Sequence, residues 1–209
     1  MAKKIKKGIV NLEDFTCVVR CGKGDEGMIV LGIDPGTTKS AYVVYDSNTK
    51  KVLTQGLEGN DDVLCSIETM RNEYGIEMMA IEMLKSYGMP MGDSCLLTCV
   101  WIGRFIEAWM MDATVRFIWR KSIATEICGS PRASDSNIAK GLVNRFSEDK
   151  TNLGGGSNPV VGLKGNKGHL YLIKYDMWSA LAVSVAFSEK WLRKDYQGIT
   201  YVDGSACCV

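Results

Sequence analysis

Apolar and polar positions along the chain first organise at residue 29. Two β-rich runs, IVLGID at 29–34 and SAYVVYD at 40–46, flank a Pro-Gly-Thr-Thr turn, and the second run alternates as a strand does. A second turn, SNTKK, leads into VLTQGLE at 52–58. Three short strands with short links predict an antiparallel meander. DDVLCSIETMRNEYG follows at 61–75, with Val63, Leu64, Ile67 and Met70 at helical spacing and Asp61 or Asp62 placed to cap the helix. IEMMAIEM at 76–83 is nearly continuous in apolar residues, the pattern of a strand buried on both faces. A long helix over 94–113, a strand over 114–120 and helices over 122–128 and 134–148 come next. A glycine-rich loop spans 149–168, and the apolar stretch KYDMWSALAVSVAFSEKWL at 174–192 predicts a closing helix.

Three antiparallel strands followed by alternating helices and strands is a mixed α/β order. It is the element order of the ribonuclease-H-like fold. The expected architecture is a mixed five-stranded sheet, three strands antiparallel and the rest parallel, flanked by helices. Residues 1–27 carry little pattern and read as an N-terminal extension, 28–192 as the domain, and 193–209 as a C-terminal tail.

Composition narrows the chemistry. At 209 residues, with 46% hydrophobic and 23% charged positions, the chain is long enough and apolar enough for one packed domain. A formal net charge of +1 means that any polyanionic partner must meet a local basic patch. No apolar stretch reaches membrane-span length, and the basic start MAKKIKKGIVNLEDF is too poor in apolar residues for a secretion signal. The eight cysteines form no C-x-x-C pair, and His169 is the only histidine, which argues against a zinc site. Free thiols without an export signal point to a reducing, cytoplasmic setting.

The acids are placed where they need explaining. Asp34 ends the first strand, Glu82 interrupts a buried apolar run, and Asp176 stands at the head of the last helix. Each has a purely structural reading: Asp34 as a turn-former, Glu82 as a partner of Lys85, Asp176 as an N-cap. Glu82 resists most, because a carboxylate in an apolar strand is costly unless paired or bound to a metal. Together the three suggest one hard-cation site, for which Mg²⁺ is suited by its preference for oxygen ligands and retained water. A pair of such ions serves phosphodiester cleavage.

The motifs GIDPG at 32–36, AIEM at 80–83, KSIATEICGSPRASDSNIAKGLV at 121–143 and DMWSALAVSVA at 176–186 resemble, in order, those of RuvC-type Holliday junction resolvases. The wording MLKSYGMPMGDS…WIGRF resembles the phage-borne branch. The resemblance covers roughly 29–190 and implies a Mg²⁺-dependent (or Mn²⁺-dependent) crossover junction endonuclease acting as a homodimer on four-way DNA. It places metal ligands on Asp34, Glu82 and Asp176 and a lysine near the scissile phosphate on Lys121. Ser179 stands where the family usually has a fourth ligand, and Asp135 is the nearest acid by motif to replace it, or else a helix cap. Lys85, Arg104, Arg120, Arg132 and Lys140 are the candidate DNA contacts, with solvated helix faces as the alternative for each. Trp101, Phe105 and Trp109 recur at helical spacing, as in a core or dimer seam.

Two other functions are compatible with the chain. One is a junction-binding protein whose nuclease activity is weakened or lost, given Ser179. The other is a single-lobe relative of the sugar kinase and heat-shock ATPase superfamily, suggested by Gly-Thr-Thr after an aspartate.

Overall fold

The computed structural model describes residues 27–86, 88, 90–110, 114–147, 160–163 and 166–202, with the backbone alone at 162, 163, 166 and 167. Most of the expected N-terminal extension and of the glycine-rich loop therefore lies outside the described residues. Strands β1 (Ile29–Asp34), β2 (Lys39–Asp46) and β3 (Lys51–Gly59) form the meander, followed by helix α1 (Asn60–Tyr74) and strand β4 (Met78–Met83). Helix α2 (Asp93–Trp109), strand β5 (Val115–Trp119) and helices α3 (Arg120–Cys128) and α4 (Asp135–Phe146) come next. A two-residue hairpin pair, β6 (Gly162–Leu163) and β7 (Asn166–Lys167), precedes helix α5 (Met177–Leu192) and strand β8 (Ile199–Thr200).

The main sheet has the order β3-β2-β1-β4-β5-β8. β1 is antiparallel to β2 and parallel to β4, and β4 is parallel to β5. The five expected strands are extended by a sixth: Phe117 and Ile118 pair antiparallel with Thr200 and Ile199. That strand comes from the segment expected to be a tail, and two residues are too short for periodicity to reveal.

Alternation of side chains across the sheet divides the core in two. On one face Val30, Ala80 and Ile118 pack with Leu142 of α4 and with Ala180, Val183 and Phe187 of α5. On the other, Leu31, Ile33, Met79, Ile81 and Phe117 pack with Ile67 of α1 and with Ile102, Phe105 and Trp109 of α2. Phe105 and Trp109 thus belong to the core, and Trp101 packs partly buried against it. The α1 capping expectation is corrected: Gly59 is the N-cap and makes no side-chain cap bond, while Asp61 and Asp62 occupy the first turn. There the positive end of the helix dipole still favours them. Among the described residues no helix is long and apolar enough to cross a membrane.

Candidate active site

Asp34 and Glu82 end up side by side because of strand register. Ile33 of β1 pairs with Ile81 of β4 in parallel, so the next residue on each strand is an acid. By alternation both acids lie on the face occupied by α5, since Gly32 and Ala80 hold the same parity. The approach of α5 depends on Gly32. A Cβ built there would lie 2.1 Å from Ser184 Oγ and 2.6 Å from the Ala180 carbonyl oxygen, distances no side chain tolerates. With α5 seated against β1 at Ala180 and Ser184, the start of the helix falls beside Asp34. Asp176 and Ser179 are carried there with it.

The turn after Asp34 is held by a closed hydrogen-bond circuit. The Gly36 amide donates to Ser40 Oγ (3.1 Å), Ser40 Oγ donates to Asn60 Oδ1 (2.7 Å), and Asn60 Nδ2 donates to the Gly36 carbonyl (3.0 Å). Ser40 and Asn60 are buried. A Cβ at Gly36 would meet the Lys39 carbonyl at 2.2 Å, so the turn requires glycine there. The Gly-Thr-Thr segment is accordingly fixed by α1, and Asp34 itself is left to face the site.

The electrostatics centre on Asp34. Burial first, then the charges of Glu82 and Asp176, push the Asp34 carboxyl up from 3.8 to about 7, against the opposing influence of Arg120 and a hydrogen bond with Ser179. Burial likewise raises Glu82, with Arg120 pulling the other way. Arg120 Nη1 is 3.7 Å from Glu82 Oε2, and its other nitrogen pairs with Asp135. Glu82 is thus compensated by Arg120, while the Lys85 ammonium lies over the Trp119 ring, 5.2 Å from its centroid. Asp176 occupies the N-cap position of α5 but makes no side-chain cap bond. Asp135 is not the cap of α4 either: Ser134 is, accepting from the Asn137 amide at 3.3 Å.

The donor chemistry fits a hard divalent cation: three carboxylates and a serine hydroxyl, with charge repulsion at Asp34 that a cation relieves. Among the described residues, however, no group of three or more His, Cys, Asp and Glu is drawn close enough to hold an ion. Asp34 senses Glu82 and Asp176 at a largely buried position where the nearby counter-charge is Arg120.

The remaining candidates are dispersed. Lys121 lies exposed in the first turn of α3 and lines a neighbouring cavity with Lys85. Arg132 and Lys140 share a groove with Asn137 and Asn144 along α4. Arg104 stacks 4.1 Å from the Trp101 ring centroid and pairs with Asp61 at 3.3 Å, on α2. Sequence reasoning missed Arg120 as a member of the acid cluster, having placed it among DNA contacts. Its position directly after the strand carrying Ile118, the register partner of Glu82, is the signal that points to it.

No family model matches the chain, and no curated protein matches it. Among solved structures it is similar to RuvC of Thermus thermophilus, at 13% identity and a TM-score of 0.56, over 84% of this chain and 100% of that one. It is similar to the same organism's RuvC in complex with Holliday junction substrate, again at 13% identity and 0.56, over 84% of this chain and 99% of that one. A third similar structure is the yeast mitochondrial Holliday junction resolvase Ydc2, at 14% identity and 0.48, over 84% and 82% of the two chains. The chain has the mixed α/β, ribonuclease-H-like fold of RuvC.

Proposed function

We propose that this chain is a metal-dependent endonuclease that resolves four-way DNA junctions by paired, symmetric phosphodiester hydrolysis. The observation that carries the reading is that strand register sets Asp34 and Glu82 side by side, with the charges of Glu82 and Asp176 both acting on the Asp34 carboxyl. The fold on which they stand is that of a protein described with a Holliday junction substrate.

Asp34, Glu82 and Asp176 would hold Mg²⁺ or Mn²⁺, which when bound supplies charge neutralisation at a scissile phosphate and acidifies water. The chain's own residues prepare that site. Asp34 is fixed by the Gly36–Ser40–Asn60 circuit, and Ser179 holds its carboxyl by a hydrogen bond. Arg120 neutralises Glu82 and would keep its pair with exposed Asp135 if another cation took its place at Glu82. The cations Lys85, Lys121, Arg132 and Lys140 provide phosphate contacts whose affinity falls as salt rises.

The working species is a homodimer, because two symmetric cuts need two active sites. The outer face of α2 supports this: Leu96, Leu97 and Val100 are 55%, 55% and 59% exposed. A carbon added at Gly103 on the same helix would meet nothing within 4 Å, which leaves room for close approach of a second helix.

The test is cleavage of a synthetic four-way junction against a linear duplex in Mg²⁺ and in Mn²⁺, with ATP hydrolysis as control. Paired symmetric cuts confined to the junction are expected. Equal cutting of duplex, or ATP hydrolysis alone, defeats the reading. Ser179 and the open spacing of the acids favour one second reading, a junction-binding protein with weakened nuclease activity. Tight junction binding without cutting in either metal would establish it.

A further inference from the structure

Beside the acids lies a cavity of about 560 Å³, of which the reading above uses only the lysines Lys85 and Lys121. Its size falls within the roughly 300–1,000 Å³ of small-ligand pockets. Trp119, Lys85, Lys121, Ser122 and Gln197 are among the residues that line it. Its position is set by two elements that also build the acid site. Lys85 follows Glu82 by three residues, and Trp119 and Lys121 flank Arg120, which touches Glu82.

The lining has a definite chemistry. Its two carboxylates are engaged within the protein, Glu126 by Arg193 at 2.8 Å and Asp195 by the buried ammonium of Lys190. Lys85 and Lys121 add positive charge to the exposed side. Trp119 supplies an aromatic face, now covered by the Lys85 ammonium. An exposed ammonium over a ring is a weak contact that a planar group can displace. α3 also starts at this wall with no side chain capping its first amides, an end that attracts phosphate. A flat aromatic face, two lysines and a helix N-terminus together match a nucleotide: a base to stack and a phosphate to pair.

We propose that this cavity is a nucleobase pocket, which takes one unstacked nucleotide of the DNA strand a short step from the cut phosphate and so sets where the strand is cut. The base stacks on Trp119, and Lys85, displaced from the ring, joins Lys121 on the neighbouring phosphate. The inference rests on the reading of the chain as a junction nuclease. Bases unstack most readily at a branch point, where pairing is already interrupted.

The experiment couples a protein change to a DNA change. Four-way junctions carrying a single abasic nucleotide, moved one position at a time around the cut, are bound and cut by the wild type, Trp119→Ala and Trp119→Phe. Stacking on an aromatic side chain corresponds to roughly five- to hundredfold in binding. The wild type should lose about tenfold in affinity, and its preferred cut position, at one abasic site only. Trp119→Ala should show that loss on intact DNA and no further loss with the abasic site, while Trp119→Phe behaves as wild type. Wild-type insensitivity at every position, or an equal abasic loss in Trp119→Ala, overturns the pocket while leaving the nuclease standing. Absence of junction binding by the wild type overturns the nuclease reading and the pocket with it. Thermal melting of each variant separates a loss of stacking from a loss of fold.

Discussion

Replacing Asp34 by asparagine should stabilise the protein while silencing it. The Asp34 carboxyl is pushed from 3.8 to about 7 by burial and by Glu82 and Asp176. A group whose folded pKa lies above its unfolded value makes folding weaker as pH rises through that interval. Below pH 3.8 both states hold the proton and nothing is lost. Between 3.8 and about 7 the unfolded chain ionises and the folded chain does not, so each pH unit costs about 1.4 kcal/mol. Above 7 both are ionised and the penalty levels off. The interval of about 3 units sets a ceiling of about 4 kcal/mol, and the part of the carboxyl that still meets solvent brings the expectation to about 2–4 kcal/mol. Asp34→Asn keeps the shape and a hydrogen-bonding group for Ser179 but removes the titration.

The assay is thermal unfolding of wild type and Asp34→Asn in a chelator, from pH 4 to pH 8. The two should melt together near pH 4. By pH 7.5 the variant should melt roughly 5–10 °C higher, at about 2–4 °C per kcal/mol for a domain of this size. Mg²⁺ or Mn²⁺ should then raise the wild-type melting temperature and leave the variant where it was, and the variant should bind four-way junctions without cutting them. A variant that melts with or below the wild type at every pH would refute the crowding of the acids.

Two further outcomes follow from the same geometry. Arg120→Gln removes the positive charge 3.7 Å from Glu82, so Mn²⁺ affinity measured by titration calorimetry without DNA should rise several-fold; unchanged or weaker binding would show that Arg120 does not compete for the site. Gly32→Ala places a carbon 2.1 Å from Ser184 Oγ and 2.6 Å from the Ala180 carbonyl, and should cost about 1–3 kcal/mol in urea unfolding together with most of the cleavage activity, since α5 carries Asp176 away from Asp34.

What the sequence could show of this site follows from how each residue is placed. Asp34 and Glu82 stand out in sequence because each interrupts or ends an apolar run, where a charge is costly. Strand register then brings them together, but both strands are nearly continuous apolar runs buried on both faces, so the sequence displays no alternation from which that register could be read. Asp176 is legible at the head of an apolar helix, but its approach to Asp34 depends on Gly32, which carries no pattern of its own. The sixth strand escaped because Ile199–Thr200 is too short for periodicity and is paired by tertiary contact alone.

Arg120 is the more instructive case. In sequence it is one cation among 25 Lys and Arg residues, and its place directly after an apolar strand is the one feature that sets it apart. Its role comes from α3 starting at the residue after β5 ends, with no linker between them. That junction turns Arg120 toward Glu82, the acid whose register partner is Ile118, and leaves Trp119 and Lys121 on the neighbouring cavity. Ser134 takes the capping role on α4, which frees Asp135 to hold the other side of the guanidinium. Arg120 offsets the charge of Glu82, and the crowding that remains is carried by Asp34, whose carboxyl is pushed up to about 7. On the proposed reading the same arginine would have to yield before a divalent cation could bind, so the charge that offsets Glu82 in the fold would also compete with the cation.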